Sequence, residues 1–224
     1  MPKIQTVTMG ILLSVSIFFT ACFNDAVEAK EVVATLLKGE PSQEHYELSQ
    51  KYFDEGEYQK ALEHDLKQLD VDKKYYKEES AEIALDYNNI GLDYDELKNY
   101  KKALEYYEKA MKIDDVTLES NSTERSTTYY NVASSYDALS DYENALTYYF
   151  KALKIDKVGL GEYHEDVLDE YEDIATIYEK IGKLDLALSY HEKALAFKEH
   201  QFGKDDDETL ATKEAIEELK KKIK

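Results

Sequence analysis

The 224-residue chain carries 48 acidic against 28 basic side chains, a formal charge of −20, and a single cysteine. This balance argues against nucleic-acid binding, because phosphate contacts need clustered Lys and Arg, and one cysteine excludes an intrachain disulfide. With 43% hydrophobic residues the chain can build a core, while two prolines and eight glycines are too few for a loop-rich β protein.

The N-terminal residues have the pattern of a secretory signal. Lys3 precedes an uncharged stretch, residues 4–24, in which residues 10–19 are largely apolar. This run is shorter than the ~20 apolar residues that a membrane span needs. The tetrapeptide of residues 19–22, Phe-Thr-Ala-Cys, resembles the lipobox of bacterial lipoproteins, with Phe19 in the place of the usual Leu. The resemblance implies cleavage of residues 1–21 and lipidation of Cys22.

An exported, membrane-anchored lipoprotein facing the periplasm or the cell exterior is therefore expected. Cleavage after Ala29 would instead give a soluble secreted protein, and an uncleaved N-terminal anchor is a third possibility. Residues 22–41 are predicted to be a tether with a short helix, which ends before Gly39 and Pro41.

An internal repeat of 42 residues organises the rest of the chain. Four independent columns keep this interval without an insertion: Ala61, Ala103, Ala145 and Ala187; Tyr52, Tyr94, Tyr136 and Tyr178; Leu48, Ile90, Val132 and Ile174; Val71, Ile113, Ile155 and Phe197. Four units are thus predicted, over residues 42–79, 80–121, 122–163 and 164–205.

Each unit is predicted to be a helix hairpin. In the second unit Leu85, Ile90, Tyr94 and Leu97 follow the three-to-four-residue spacing of one apolar helix face. Gly56, Asn99 and Gly182 suit the tight turn between the two helices of a hairpin. The small Ala columns allow the two helices to approach closely.

These columns resemble the tetratricopeptide pattern of an aromatic residue, Leu, Gly, Tyr, Ala, aromatic and Ala. The second unit matches it with Tyr87, Ile90, Gly91, Tyr94, Ala103, Tyr107 and Ala110. The connectors around residues 161–167 and 202–209 are similar to those of kinesin-light-chain-type repeats. The resemblance implies an all-α tetratricopeptide-repeat solenoid of four hairpins.

Residues 206–224 are predicted to form a capping helix at the C-terminal end, with Leu210, Ile216 and Leu219 on its apolar face. The acidic run of residues 205–208 could attract Ca²⁺. We favour an N-cap and first-turn acids for this helix instead.

The family resemblance implies a partner-binding surface on the first helix of each hairpin. Carried over by position, it consists of Asn88, Asn89, Leu92 and Asp95 in the second unit, Tyr130, Asn131, Ser134 and Asp137 in the third, and Glu172, Asp173 and Thr176 in the fourth. Asn89 and Asn131 occupy the position at which light-chain repeats hold a peptide backbone, since an amide both donates and accepts hydrogen bonds.

The many acids at these positions predict a preference for a protein or peptide with basic segments. The sequence contains no motif for catalysis, a cofactor or a metal site, and no enzyme is expected. A scaffold that docks a protein or peptide is the first hypothesis. A structural, self-associating envelope assembly factor and a non-catalytic enzyme accessory are the alternatives, and the oligomeric state stays open.

Overall fold

A computed structural model describes residues 42–119 and 122–223, and these residues form nine α-helices without a strand. The helices are α1 (Glu44–Asp54), α2 (Tyr58–Tyr75), α3 (Ala81–Glu96), α4 (Tyr100–Thr117), α5 (Thr123–Ala138), α6 (Tyr142–Gly159), α7 (Glu165–Lys180), α8 (Leu184–Gln201) and α9 (Asp207–Ile223). None of them has the length and apolarity of a membrane span. The predicted signal, the tether and Cys22 lie outside the described residues.

Helices α1 to α8 pair into four hairpins, and α9 packs on α8. The second helix of each hairpin packs against the first helix of the next, so each hairpin contacts mainly its neighbours in the chain. The predicted all-α repeat solenoid is therefore confirmed. Ala61, Ala103, Ala145 and Ala187 are completely buried, as expected for small residues at the closest approach of paired helices.

Gly91 lies directly against a buried tyrosine ring within the second hairpin. A Cβ atom at this position would lie 2.4 Å from Cε1 of Tyr107, so only glycine admits the tyrosine ring in its present place. In the first hairpin Ser49 and Asp65 occupy the equivalent positions, and both are buried. The smaller carboxyl leaves room for the serine side chain.

All four hairpin turns end the first helix with one residue in the left-handed region: Gly56 (φ 74°), Lys98 (φ 61°), Ser140 (φ 61°) and Gly182 (φ 75°). In the second hairpin, Lys98 N donates to Asp95 O at 2.8 Å and Asn99 N to Tyr94 O at 2.8 Å. This pair of bonds is the Schellman arrangement. Asn99 lies in this turn as predicted, and Lys98 is the residue that takes the left-handed conformation.

Two apolar residues predicted to face the core are exposed instead. Leu85 is 52% exposed while Ile83 is completely buried, and Leu210 is 43% exposed while Thr209 is completely buried. Ile216 and Leu219 are buried as predicted. Asp206 Oδ1 accepts from the N–H groups of Glu208 at 3.0 Å and Thr209 at 3.3 Å, which confirms the N-cap.

The abundant tyrosines pack within hairpins, where each pair is covered by a lysine. Tyr94 stacks on Tyr106 with ring centroids 5.5 Å apart, and Lys109 Nζ lies 4.0 Å from the Tyr106 centroid. The third and fourth hairpins repeat the arrangement with Tyr136, Tyr148 and Lys151, and with Tyr178, Tyr190 and Lys193. Cation–π attraction keeps these lysines on the aromatic surface.

A polar position recurs at each joint, the interface between one hairpin and the next helix. The facing residues are Asp72 and Asp86 at the first joint, Asp114 and Thr128 at the second, Asp156 and Glu170 at the third, and Lys198 and Thr212 at the fourth. All six residues of the first three joints are at most 5% exposed. Two of these joints therefore hold a buried pair of carboxyl groups.

Candidate functional site

The predicted partner-binding residues lie on α3, α5 and α7, the first helices of the second, third and fourth hairpins. We call the surface that they form the first-helix face. All eleven residues retain solvent exposure: Thr176 is exposed, and the other ten are half-buried. Each is therefore open to a partner, although several are already engaged with a neighbouring hairpin.

The predicted asparagine ladder is offset by one residue. Asn131 Nδ2 donates to Oδ1 of Asn88 at 3.4 Å, so the bond between hairpins does not run to Asn89, which stands 42 positions before Asn131. The Asn89 side chain is half-buried and makes no hydrogen bond within the described residues. Its amide can therefore both donate to and accept from an incoming main chain.

Three acids of the first-helix face are bound by the next or preceding hairpin. Ser135 Oγ donates to Asp95 Oδ1 at 2.5 Å, Tyr130 Oη donates to Asp173 Oδ2 at 2.8 Å, and Lys180 Nζ lies 2.7 Å from both Asp137 oxygens. These bonds link α3 to α5 and α5 to α7. They stabilise the relative positions of the first helices.

Glu172 forms an ion pair with the second helix of its own hairpin, because Lys198 Nζ lies 2.7 Å from its Oε1 atom. Burial raises the pKa of both Asp95 and Asp173, although hydrogen bonds from Ser135 and Tyr130 oppose the shift. The negative charge of the first-helix face is therefore smaller than the number of its acids suggests. Sequence reasoning could not show this, since the partners lie 26 to 43 residues away.

A pocket of about 440 Å³ opens between the second and third hairpins. Its walls are formed by the start of α3, the end of α4 and the start of α5, and include Leu85, Asn88 and Leu118. Since Asn88 also belongs to the first-helix face, the pocket is continuous with that surface. The sequence indicated Asn88 but not the pocket, which depends on how two hairpins pack.

No group of three or more His, Cys, Asp or Glu side chains in residues 42–119 and 122–223 could hold a metal ion. His45 and His64 approach each other, with their Nδ1 atoms 3.2 Å apart, and His64 packs against the ring of Tyr52. The site thus consists of hydrogen-bonding groups, acids and an apolar pocket, which suits recognition.

The sequence profile of the tetratricopeptide repeat matches residues 45–115 and 124–215. The chain therefore belongs to the tetratricopeptide-repeat family. Proteins built from this repeat generally act as protein-interaction scaffolds, which defines the class of this molecule. None of the curated proteins compared with the chain matches it.

Several solved structures share the fold. BtubC (BKLC) from P. vanneervenii is 24% identical with a TM-score of 0.69, covering 79% of this chain and 72% of that protein. The nearly identical TPR-like repeats of a kinesin light chain candidate from Podosopora anserina are 19% identical with a TM-score of 0.70, covering 79% and 84%. A single-substitution form of those repeats is 18% identical with a TM-score of 0.69, covering 81% and 92%. The fold similarity to kinesin-light-chain-like repeats agrees with the connectors seen in the sequence.

Proposed function

We propose that this chain is a scaffold that docks an extended, basic segment of a partner protein on the first-helix face. The observation that carries the proposal is the unused hydrogen-bonding capacity of Asn89, beside the bonded pair of Asn88 and Asn131. An amide that is half-buried without a partner is suited to bind the main chain of a ligand, whose N–H and C=O groups alternate.

Charge favours a basic segment. Two acids end the first helix of the second hairpin. Asp95 accepts a hydrogen bond from Ser135, whereas Glu96 makes no ion pair within the described residues. Lys180, which ends the first helix of the fourth hairpin, forms an ion pair with Asp137. An acidic segment would thus meet the uncompensated Glu96 carboxylate, and a basic one would gain an ion pair with it that weakens with salt.

We further propose that the array acts outside the cytoplasm, tethered to a membrane by lipid on Cys22. The sequence pattern of residues 3–22 supports this proposal. Metabolic labelling with a palmitate analogue should label the wild-type chain and leave Cys22→Ser unlabelled. Equal labelling of both chains, or of neither, would exclude the lipid anchor.

The docking proposal can be tested with arrays of blocked peptides that differ only in carrying Lys or Glu at alternate positions. We expect the Lys peptides to bind, and binding to weaken when the salt concentration rises from about 50 to about 300 mM. The double variant Asn89→Ala with Asn131→Ala should lose binding by about tenfold, because it removes the unpaired Asn89 amide and the neighbouring Asn131 amide that bonds Asn88. Gln59→Ala, an exposed change on α2, is the control.

Preference for Glu peptides, or unchanged binding by the double variant, would contradict docking on this face. Sedimentation velocity over a range of protein concentrations addresses the alternative. Self-association that survives both substitutions, together with an absence of peptide binding, would favour a structural assembly role.

A further inference from the structure

The pocket between the second and third hairpins has an equivalent at the next joint, and the two differ sharply in size. Shifted by one repeat, Leu85, Asn88 and Asp114 correspond to Thr127, Tyr130 and Asp156, which line a space of only about 110 Å³. Equivalent positions therefore line an open pocket at one joint and a much smaller space at the other.

One residue that contributes to the difference stands at the position of Asn88. In the third hairpin Tyr130 stands there, and its ring reaches across the joint so that its hydroxyl bonds Asp173 at 2.8 Å. The first hairpin also has a tyrosine at this position, Tyr46. Asn88 is too short to fill the equivalent space and bonds Asn131 instead. The residue at this position varies along the array, with Asn88 in the second hairpin and Glu172 in the fourth, and the short side chain of Asn88 leaves the pocket open.

The open pocket is mainly apolar. Ala81, Ala84, Leu85 and Leu118 contribute to its walls, and Leu85 leaves 52% of its surface exposed there. An apolar cavity of about 150 Å³ is enough for a benzene ring, so a space of about 440 Å³ admits an aromatic side chain with part of its main chain. An exposed leucine beside such a space gains from being covered.

The rim of the pocket is acidic. Glu82 and Glu124 are exposed, and no lysine or arginine is among the residues that line the pocket. Ser122 donates to Glu124 and lowers the pKa of that carboxyl, so Glu124 is ionised at neutral pH. Arg125, on the same helix, is turned away to Asp115 and to the carbonyl oxygen of Asp114. A ligand with positive charge beside its apolar group is complementary to this rim.

We propose that this pocket receives one aromatic side chain of the partner segment, flanked in the partner by lysine or arginine. The inference rests on the proposed function of the first-helix face, since Asn88 joins the pocket to that surface. It adds a specificity that amide contacts cannot supply, because main-chain hydrogen bonds are the same for any sequence.

The test uses three blocked peptides and calorimetric titration. The first, Gly-Lys-Gly-Phe-Gly-Lys-Gly, carries the proposed determinants; the second has Ala for Phe, and the third has Glu for both Lys. The wild-type chain should bind the Phe peptide about tenfold or more tightly than the Ala peptide, as removal of a buried phenyl group implies. The Glu peptide should bind more weakly than either.

Variants copied from the protein's own repeat isolate the pocket. Asn88→Tyr reproduces the residue of the third hairpin and should reduce the Phe-to-Ala ratio to about one. Asn88→Ser also loses the bond to Asn131 but leaves the space open, so it should keep the ratio. Leu85→Thr, the residue at the equivalent Thr127 position, should give an intermediate ratio because it removes apolar wall.

The outcomes separate this inference from the proposed function. If Asn89→Ala with Asn131→Ala weakens the Phe and Ala peptides by the same factor, while the wild type never distinguishes them, docking stands and the aromatic pocket is wrong. A ratio that persists in Asn88→Tyr would also overturn the pocket assignment. Equal binding of blocked phenylalanine amide and the Phe peptide would overturn it in favour of a small-molecule site. Binding of none of the peptides would overturn both.

Discussion

Substituting Asp86 with Asn should make the array more stable at neutral pH and less sensitive to pH. Asp86 faces Asp72 across the first joint, and both residues are 5% exposed. Gln68 Nε2 donates to Asp72 Oδ2 at 3.0 Å, but Asp72 Oδ1 and Asp86 Oδ2 have no donor within the described residues. Burial and the carboxylate of Asp72 raise the pKa of Asp86 from 3.8 to about 8, against a smaller opposing effect of Lys73.

The sign of the effect follows from proton binding. Between its unfolded pKa of 3.8 and its folded pKa of about 8, Asp86 holds a proton in the folded chain that the unfolded chain releases. Its contribution to stability is complete below the lower value and is lost as the pH rises towards the higher one. One such proton changes the free energy of unfolding by at most about 1.4 kcal/mol per pH unit, or about 3 kcal/mol over roughly two units, from about pH 5.5 to about 7.5.

Urea unfolding followed by circular dichroism at about pH 5.5, 6.5 and 7.5 measures this slope. In Asp86→Asn the amide donates to Asp72 at every pH, so the free energy of unfolding should fall less steeply by about 1 kcal/mol per pH unit. Asp70→Asn, an exposed change on the helix that carries Asp72, is the control and should keep the wild-type slope. The comparison with wild type removes the contributions of the other buried pairs.

The reasoning would be refuted by a variant whose free energy of unfolding has the same pH slope as that of the wild type. A variant that is less stable than wild type at the highest pH would show that the carboxyl pair is stabilised by a bound cation rather than by a shared proton.

Three further predictions concern the packing and turns of the hairpins, each measured as the shift in urea midpoint at one pH. Gly91→Ala should lower the free energy of unfolding by about 1–3 kcal/mol, because its Cβ would overlap the Tyr107 ring. Tyr107→Phe should be neutral or stabilising by up to about 1 kcal/mol, since the buried Tyr107 hydroxyl has no hydrogen-bond partner within the described residues; a clear loss would reveal a bond absent from this structure. Lys98→Gly should stabilise by about 1 kcal/mol by relieving the left-handed backbone, and Ser140→Gly should do the same; a loss in either would contradict the turn geometry.

The repeat architecture could be predicted from the sequence because periodic apolar columns report helix faces directly. The wrong predictions of burial concern apolar side chains that lie outside the buried face of their helix. Leu85 has the spacing of a core residue, yet it lies on the exposed side of its helix and lines the pocket. Thr209 is buried although it is polar, and the exposed Leu210 beside it carries the stronger apolar signal.

The joints and the site are harder to predict for a physical reason. An acid is expected in water, so Asp72, Asp114 and Asp156 resemble surface charge in the sequence, although their regular 42-residue interval is a signal that could have indicated a structural position. The pairing of Asn131 with Asn88 rather than Asn89 depends on the relative rotation of two first helices. Side-chain packing between hairpins sets that rotation, and a single sequence does not show it.

The polar residues at the joints also determine how this array could lengthen by duplication of a hairpin. A tandem copy of the second hairpin would set Asp114 against a new Asp86 and bury another carboxyl pair. A copy of the fourth hairpin would instead set Lys198 against a new Glu170, an ion pair of opposite charges. Of these two duplications, the one at the fourth hairpin therefore gives the better electrostatic match at the new joint.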